Sequence, residues 1–305
     1  MKKCLIWGTG IDFNKNFYLI KYYELINKIT IVGVTSKDKY YKSFYGYKFI
    51  DEELIRTAEF DYLIIMSATT STVRAIEKEI RNFDIPESKI ITIKAMQLYG
   101  FDFDKYIRIK EDVPTIFAPN CWGGILYNSM GLEFNSPLIN MFEEHKDYLK
   151  FLSNPKYYIE QKLILAEIGY DENSHTQYPI ANCGDIKLHF NHYGSFEEAN
   201  ECWNRRKARI NWDNIIVMFY YENKQLVDEF LQLHYKNKIC FTTVDTSMIS
   251  HDENNIVSIP YNEELCDRPF WSFVNGTSSG RNYCIDLFEL MSNKRIKWIN
   301  GTSLF

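Results

Sequence analysis

No stretch of this chain is apolar over anything near the about 20 residues that a membrane-spanning helix requires, so membrane insertion is not expected. Positive charge is not in excess. Lys and Arg number 35 against 40 Asp and Glu, a net charge of −5, and no basic tract is dense enough to mark a nucleic-acid face or an anionic-lipid anchor. A CxxC pair is also missing. The seven cysteines, Cys4, Cys121, Cys183, Cys202, Cys240, Cys266 and Cys284, are odd in number and widely spaced, which argues against a disulfide framework and a cysteine-rich zinc site. A reducing cytoplasm is the expected compartment. The start, "MKKCLIWGTG", has two lysines like a leader, but its apolar run is only Cys4 to Trp7, too short for the core of a signal peptide. It reads as a first strand. Low-complexity tracts and repeats at solenoid periods are absent as well.

What is present is enough chain for two domains, 305 residues where single domains cluster at roughly 100 to 150. Hydrophobic residues at 46% allow a sizeable core, and the charged fraction of 25% is ordinary. Aromatic residues, at 16%, are abundant. Tyrosine joins a flat apolar body to a hydroxyl and suits wet apolar grooves, sugar sites included. A coding bias that enriches Tyr, Phe, Ile, Asn and Lys together accounts for the same surplus.

From residue 3 onward, short apolar strands alternate with helical segments: "CLIWG", a helix around "NKNFYLIKYYELI", "ITIVGV", "FDYLIIMSA", the helix-like "TVRAIEKEIRNF", then the strand "IITI". Continuous apolar strands separated by helices of this length predict βαβ units and a parallel sheet. That places a Rossmann-like domain in residues 1–112. "FDFDKYIRIKEDVP" shows no clear periodicity and ends in Pro114, marking the boundary. A second alternation fills 113–305 and predicts a three-layer α/β domain. Its expected strands are "TIFAP", "PLINMFE", "DIKLHF", "NIIVMFYY", "KICFTT" and "NIVSIP". Helices are expected at Ile125 to Met130, Asp147 to Leu152, Pro155 to Ile168, Glu197 to Ile210, Lys224 to Tyr235 and Tyr283 to Met291.

Gly8, Thr9 and Gly10 follow the first strand and open a helix, where a dinucleotide fingerprint belongs. The third glycine of that fingerprint is replaced by Phe13, and the ribose-holding acid near the end of the second strand by Thr35 and Ser36, with Lys37 next. Two of three elements fail, which argues against a nicotinamide cofactor. The loop either brings backbone amides up to an anion or only turns the chain; no cofactor is specified.

In the second domain, Asn120 and Cys121 end a predicted strand, where open α/β sheets place ligands. Trp122, Gly123 and Gly124 follow. Free amides at a helix start lower a thiol pKa and supply an oxyanion site, making Cys121 a candidate nucleophile with His189 or His192 as its base. A small buried thiol in a tight turn is the alternative. Asp185 and His189 lie four apart on "DIKLHF", and His189 and His192 have HxxH spacing, but no third metal ligand can be chosen. Ser195 with Glu198 forms a capping box for the next helix. On it Glu201, Arg205 and Arg209 share one face, and Trp203 and Arg206 another. Paired arginines beside a tryptophan either clamp a diphosphate and stack a sugar, or pair with Glu201 in solvent. Asp213 in "INWDN" is either a cation ligand or a turn former. "FVNGTSSGRN", with Arg281, is expected as a polar glycine loop that faces phosphate or solvent.

"NCWGGILYNSMGLEFNSP", "DYLKFLSNPKYY" and "YPIANCGDIKLHFNHYGSFEEANECWNRRKARINWDNI" together resemble the bacterial domain-of-unknown-function family DUF 1919, found in proteins of exopolysaccharide and capsule biosynthesis. The first domain resembles the small nucleotide-binding-like module attached to many capsule and sugar-nucleotide enzymes. The resemblance implies a setting and carries over no residue roles. The expectation is a transferase acting on a glycan or sugar-phosphate intermediate of surface polysaccharide. The alternatives are a non-catalytic sugar-nucleotide-binding or scaffolding protein of the same pathway and a redox enzyme using the first domain. A site led by Cys121 favours acyl transfer, whereas one led by the arginines and Asp213 favours glycosyl or phosphoryl transfer.

Overall fold

Fully apolar runs such as "LIIM" and "IIVMF" have no polar face to offer water, and in the computed structural model they lie in parallel sheets buried on both sides. The structure describes residues 1–37, 42–172, 174–245, 255–259, 261, 269–280, 282 and 284–299. Arg281, Tyr283 and Cys266 lie outside them. The architecture is mixed α/β, and the chain divides into two compact units, Met1–Glu111 and Asp112–Phe305. Among the described residues no helix is long and apolar enough to cross a membrane.

The first unit contains β1 (Lys2–Trp7), α1 (Ile11–Leu25), β2 (Ile29–Thr35), a small hairpin of β3 (Ser43–Phe44) and β4 (Tyr47–Lys48), β5 (Tyr62–Ile65), α2 (Thr70–Ile80), β6 (Ile90–Thr92), α3 (Ile93–Met96) and α4 (Phe103–Glu111). Its main sheet is parallel in the order β2-β1-β5-β6. The segment expected as an aperiodic linker is helix α4. Its inward residues Phe103, Tyr106 and Ile109 recur every third position, and the charges between them hide that spacing in the sequence.

The second unit follows as β7 (Thr115–Phe117), α5 (Trp122–Met130), α6 (His145–Ser153), α7 (Pro155–Glu160), β8 (Leu163–Asp171), β9 (Thr176–Cys183), β10 (Ile186–His189), α8 (Phe196–Lys207), β11 (Ile215–Tyr221), α9 (Lys224–Gln232), β12 (Lys238–Thr242), β13 (Ile256–Ser258), α10 (Phe270–Ser278) and α11 (Leu287–Asn293). Four strands form a parallel sheet, β13-β12-β11-β7, and β10-β9-β8 form a separate antiparallel sheet. Three expectations are corrected here. The helix expected from Pro155 to Ile168 stops at Glu160, because "LILAEIGYD" pairs along its length with β9. "PLINMFE" is no strand and makes only one bridge, Phe142 to His189. Most of the expected glycine loop from Phe273 is α10, whose Val274, Asn275 and Ser278 are buried.

Candidate functional site

Where β7 ends, the chain passes through Pro119 and Asn120 to Cys121, the N-cap residue of α5. The Asn120 Oδ1 accepts the Trp122 amide at 2.9 Å, and the Cys121 carbonyl accepts the Ile125 amide at 2.9 Å. Cys121 is half-buried. Trp122 is fully buried, and its Nε1 donates to Ser278 Oγ at 2.9 Å, so it braces α5 against α10 and offers no stacking platform. Gly123 and Gly124 are held by contact as well as by turn geometry. A Cβ on Gly123 would meet Ile116 Cγ2 at 3.0 Å, and one on Gly124 would meet Ile139 Cγ2 at 3.3 Å. By position in the first turn, their amides have no acceptor within the helix.

β11 runs parallel to β7 with Val217 opposite Phe117, so the same register carries Tyr220 to the level of Asn120. The Asn120 amide lies at the Tyr220 hydroxyl, and no other partner meets its buried Nδ2. Burial holds the Tyr220 phenol far above its usual value against the pull of Asn120, with Glu144 and Cys121 adding to the rise. The Glu143 amide donates to the Pro119 carbonyl at 3.0 Å, fixing the start of α6 to this loop. That brings in His145, whose ring lies 5.1 Å from that of Tyr220 and 4.2 Å from that of Tyr221. Burial lowers the His145 pKa, opposed by Glu144 and by a hydrogen bond to the Tyr220 carbonyl. The His145 Nε2 is buried without a partner. His145, Tyr220 and Glu143 escaped the sequence reading. Tyr220 was within reach of it, since parallel strands end at one edge, whereas "EEH" looks like any charged helix start.

His189 is one step further out. Its backbone exchanges hydrogen bonds with Phe142 at 2.9 and 3.0 Å, and its ring stacks on Phe142 at 4.5 Å. Burial, then Lys187, lower its pKa against Glu144, Asp147 and Glu167. Glu143 itself is 3% exposed, and neither carboxyl oxygen has a hydrogen-bond partner. Burial, then the Asp147 charge, hold its pKa well above the carboxylate range.

The remaining candidates are not brought together. His192 is exposed. Asp185 sits in the turn before β10, bound to Lys150 at 3.1 Å and to the Tyr158 hydroxyl at 2.8 Å. Asp213 is exposed ahead of β11, at the end of the parallel sheet opposite Cys121, in a turn whose Asn211 and Asn214 donate to Asp112. The arginines of α8 diverge and form no clamp. Arg205 is exposed, 4.0 Å from Glu201, and Arg209 pairs with Glu133. Arg206 is 5% exposed, bonded to the Ile139 carbonyl and the Tyr193 hydroxyl, with its guanidinium 5.2 Å from the Phe134 ring centre. Trp203 is buried beside it. Arg281 lies outside the described residues. Among the described residues, no group of three or more His, Cys, Asp or Glu could hold a metal ion.

In the first unit, Gly8 takes φ +117° and donates to the Thr35 carbonyl at 2.9 Å. Thr9 is buried and Gly10 precedes α1. The first turn of α1 already carries an acid: Asp12 accepts from the Ala68 amide at 3.0 Å and from Ser67 Oγ at 3.3 Å. Phe13, in place of the third glycine, packs its ring 4.8 Å from Phe44 and 5.4 Å from Tyr45. Lys37 pairs with Glu79 at 2.6 Å.

Comparison with known proteins matches residues 92–290 to the family described as a domain of unknown function (DUF1919), and residues 1–91 to the family described as C2185-like, N-terminal. An uncharacterized protein of Haemophilus influenzae (strain ATCC 51907 / DSM 11121 / KW20 / Rd) is 32% identical over 131 residues, which are 42% of this chain and 61% of the relative. The chain thus spans about three-fifths of the length of the curated relative it matches.

Proposed function

The chain belongs to the DUF1919 family, and from that premise we propose that it is a cytoplasmic transferase acting on a glycan or sugar-phosphate intermediate of surface polysaccharide, by acyl transfer through Cys121. The observation that carries this is the convergence of Cys121 and His145 on Tyr220, at the carboxyl edge of the parallel sheet. Open α/β sheets take their ligands at that edge. A lowered pKa keeps His145 neutral, and so basic, near neutral pH. The Cys121 thiolate attacks the carbonyl of an activated acyl donor and expels the donor's leaving group. An acceptor hydroxyl, losing its proton to His145 Nε2, then attacks the thioester, and the Cys121 thiolate departs. The Gly123 and Gly124 amides face the developing oxyanion.

Dispersal of the arginines and Asp213 weighs against glycosyl or phosphoryl transfer. The first unit is, in this reading, a Rossmann-like module supported by its parallel order, with Asp12 and Phe13 standing where a pyrophosphate would lie. The test is the rate of Cys121 alkylation against pH, resolved by peptide mass spectrometry, in wild type, Cys121→Ser, His145→Ala and His189→Ala. Fast labelling near neutral pH, slowed about 10-fold or more by His145→Ala and little by His189→Ala, is expected. A Cys121 that reacts only after unfolding refutes the proposal.

A further inference from the structure

β8 is an edge strand: it pairs with β9 on one side, and among the described residues its other side meets no strand. Edge strands are normally short or guarded by lysine or proline, because their unpaired N–H and C=O groups template another chain. β8 is nine residues long, "LILAEIGYD", and contains neither. Its apolar side chains are uncovered as well. Ile164 is 61% exposed, Leu165 44%, Ile168 57% and Tyr170 55%.

The bulge between Leu165 and Glu167 decides which of these side chains act together. Ahead of it, Leu163 and Leu165 stand opposite Cys183 and Ala181; after it, Ile168 and Tyr170 stand opposite Pro179 and Gln177. Those four β9 residues alternate along one strand and so share a face. The extra residue in β8 therefore brings Leu163, Leu165, Ile168 and Tyr170 onto that same face, with Glu167 and Asp171 on the other. The ends of the strand differ in charge, since exposed Lys162 precedes it and Asp171 closes it. Glu167, in the middle, is neutralised by Lys187 at 2.6 Å.

We propose that β8 pairs antiparallel with the β8 of a second copy of this chain, about a two-fold axis at the bulge, joining the two antiparallel sheets into one. In the register that keeps like faces together, Leu165 of each copy lies beside Ile168 of the other, and Leu163 beside Tyr170. The same register sets Lys162 of each copy beside Asp171 of the other, so the strand is complementary to itself in charge as well as in apolar pattern. A slip of one residue turns apolar side chains against the polar face, and a slip of two parts Lys162 from Asp171. This inference is independent of the chemistry at Cys121.

The test is sedimentation velocity of the full chain over a dilution series from about 100 to 1 μM, with circular dichroism to show that each variant stays folded. A closed dimer is expected for the wild type. Ile168→Lys, at an exposed position, should weaken it about 10-fold or more. Lys162→Glu turns two exposed ion pairs into like-charge pairs and should weaken it about 3- to 10-fold, and adding Asp171→Lys should restore it. Asp171 also accepts the Ser174 amide at 3.2 Å, so if the double variant does not fold, the two single substitutions decide. A monomer at every concentration, an open-ended polymer, or a dimer indifferent to Ile168→Lys overturns the proposal. A folded double variant as weak as Lys162→Glu overturns the register.

Discussion

Glu143→Gln changes one atom type in a buried side chain, and its effect on stability should grow with pH. The carboxyl is 3% exposed, has no hydrogen-bond partner, and is faced by Asp147 and Tyr148 of α6 and Cys183 of β9, none of them cationic. Its pKa in the folded protein is raised above the ordinary 4.5, so between those values the folded chain holds a proton that the unfolded chain has released. The contribution is therefore fully present below the unfolded pKa and is lost as pH rises. Each pH unit above the ordinary value costs the wild-type fold about 1.4 kcal/mol while the folded chain keeps its proton. Glutamine, which cannot ionise, avoids that cost. His145 and His189, whose lowered pKa values act in the opposite sense below about 6.5, are common to both proteins and cancel in the difference. Urea titrations of wild type and Glu143→Gln at pH 5, 6 and 7, followed by tryptophan fluorescence, measure that difference directly. A gap that widens with pH in favour of glutamine is expected; a gap independent of pH would refute the protonated, unpaired carboxyl.

Arg206→Ala removes the bonds to Ile139 and Tyr193 and empties a buried site, so a loss of about 3 kcal/mol is expected in chemical denaturation. Arg205→Ala, one position earlier but in solvent, should change stability by no more than about 0.5 kcal/mol. Phe13→Gly restores the third glycine of the dinucleotide pattern yet leaves Asp12 in the first turn of α1. It should cost about 3 to 5 kcal/mol through loss of the contacts to Phe44 and Tyr45. Thermal-shift measurements with NAD should show no gain in midpoint for either protein.

Strands buried on both faces were the most legible part of the chain, since β1, β11 and β12 are apolar runs that suit no other setting. The capping box was equally legible: Ser195 Oγ accepts the Glu198 amide at 3.2 Å, where the spacing places it. The hairpin of β8 and β9 was not. Its bulge between Leu165 and Glu167 breaks the alternation that identifies a strand, and most of β8 is exposed. On α8 the shared face of Trp203 and Arg206 was recognised, but sequence spacing cannot say whether a face points inward. Burial turned a candidate ligand clamp into a brace. At the site, the Asn120–Cys121 turn was visible because it follows a strand. His145 reaches it through the hydrogen bond from Glu143 to Pro119 and its ring contacts with Tyr220 and Tyr221, contacts between segments that no local pattern encodes.

That same short segment has a mechanical consequence. Phe142 is tied by paired hydrogen bonds to His189 at the end of β10, and the next residue, Glu143, is tied to Pro119, two positions before Cys121. The antiparallel sheet is therefore geared to the turn that presents the thiol, with His145 riding on the gear tooth. Its far strand, β8, exposes Ile164, Ile168 and Tyr170. Two short backbone links thus join that exposed strand's sheet to the segment that carries both the thiol turn and His145.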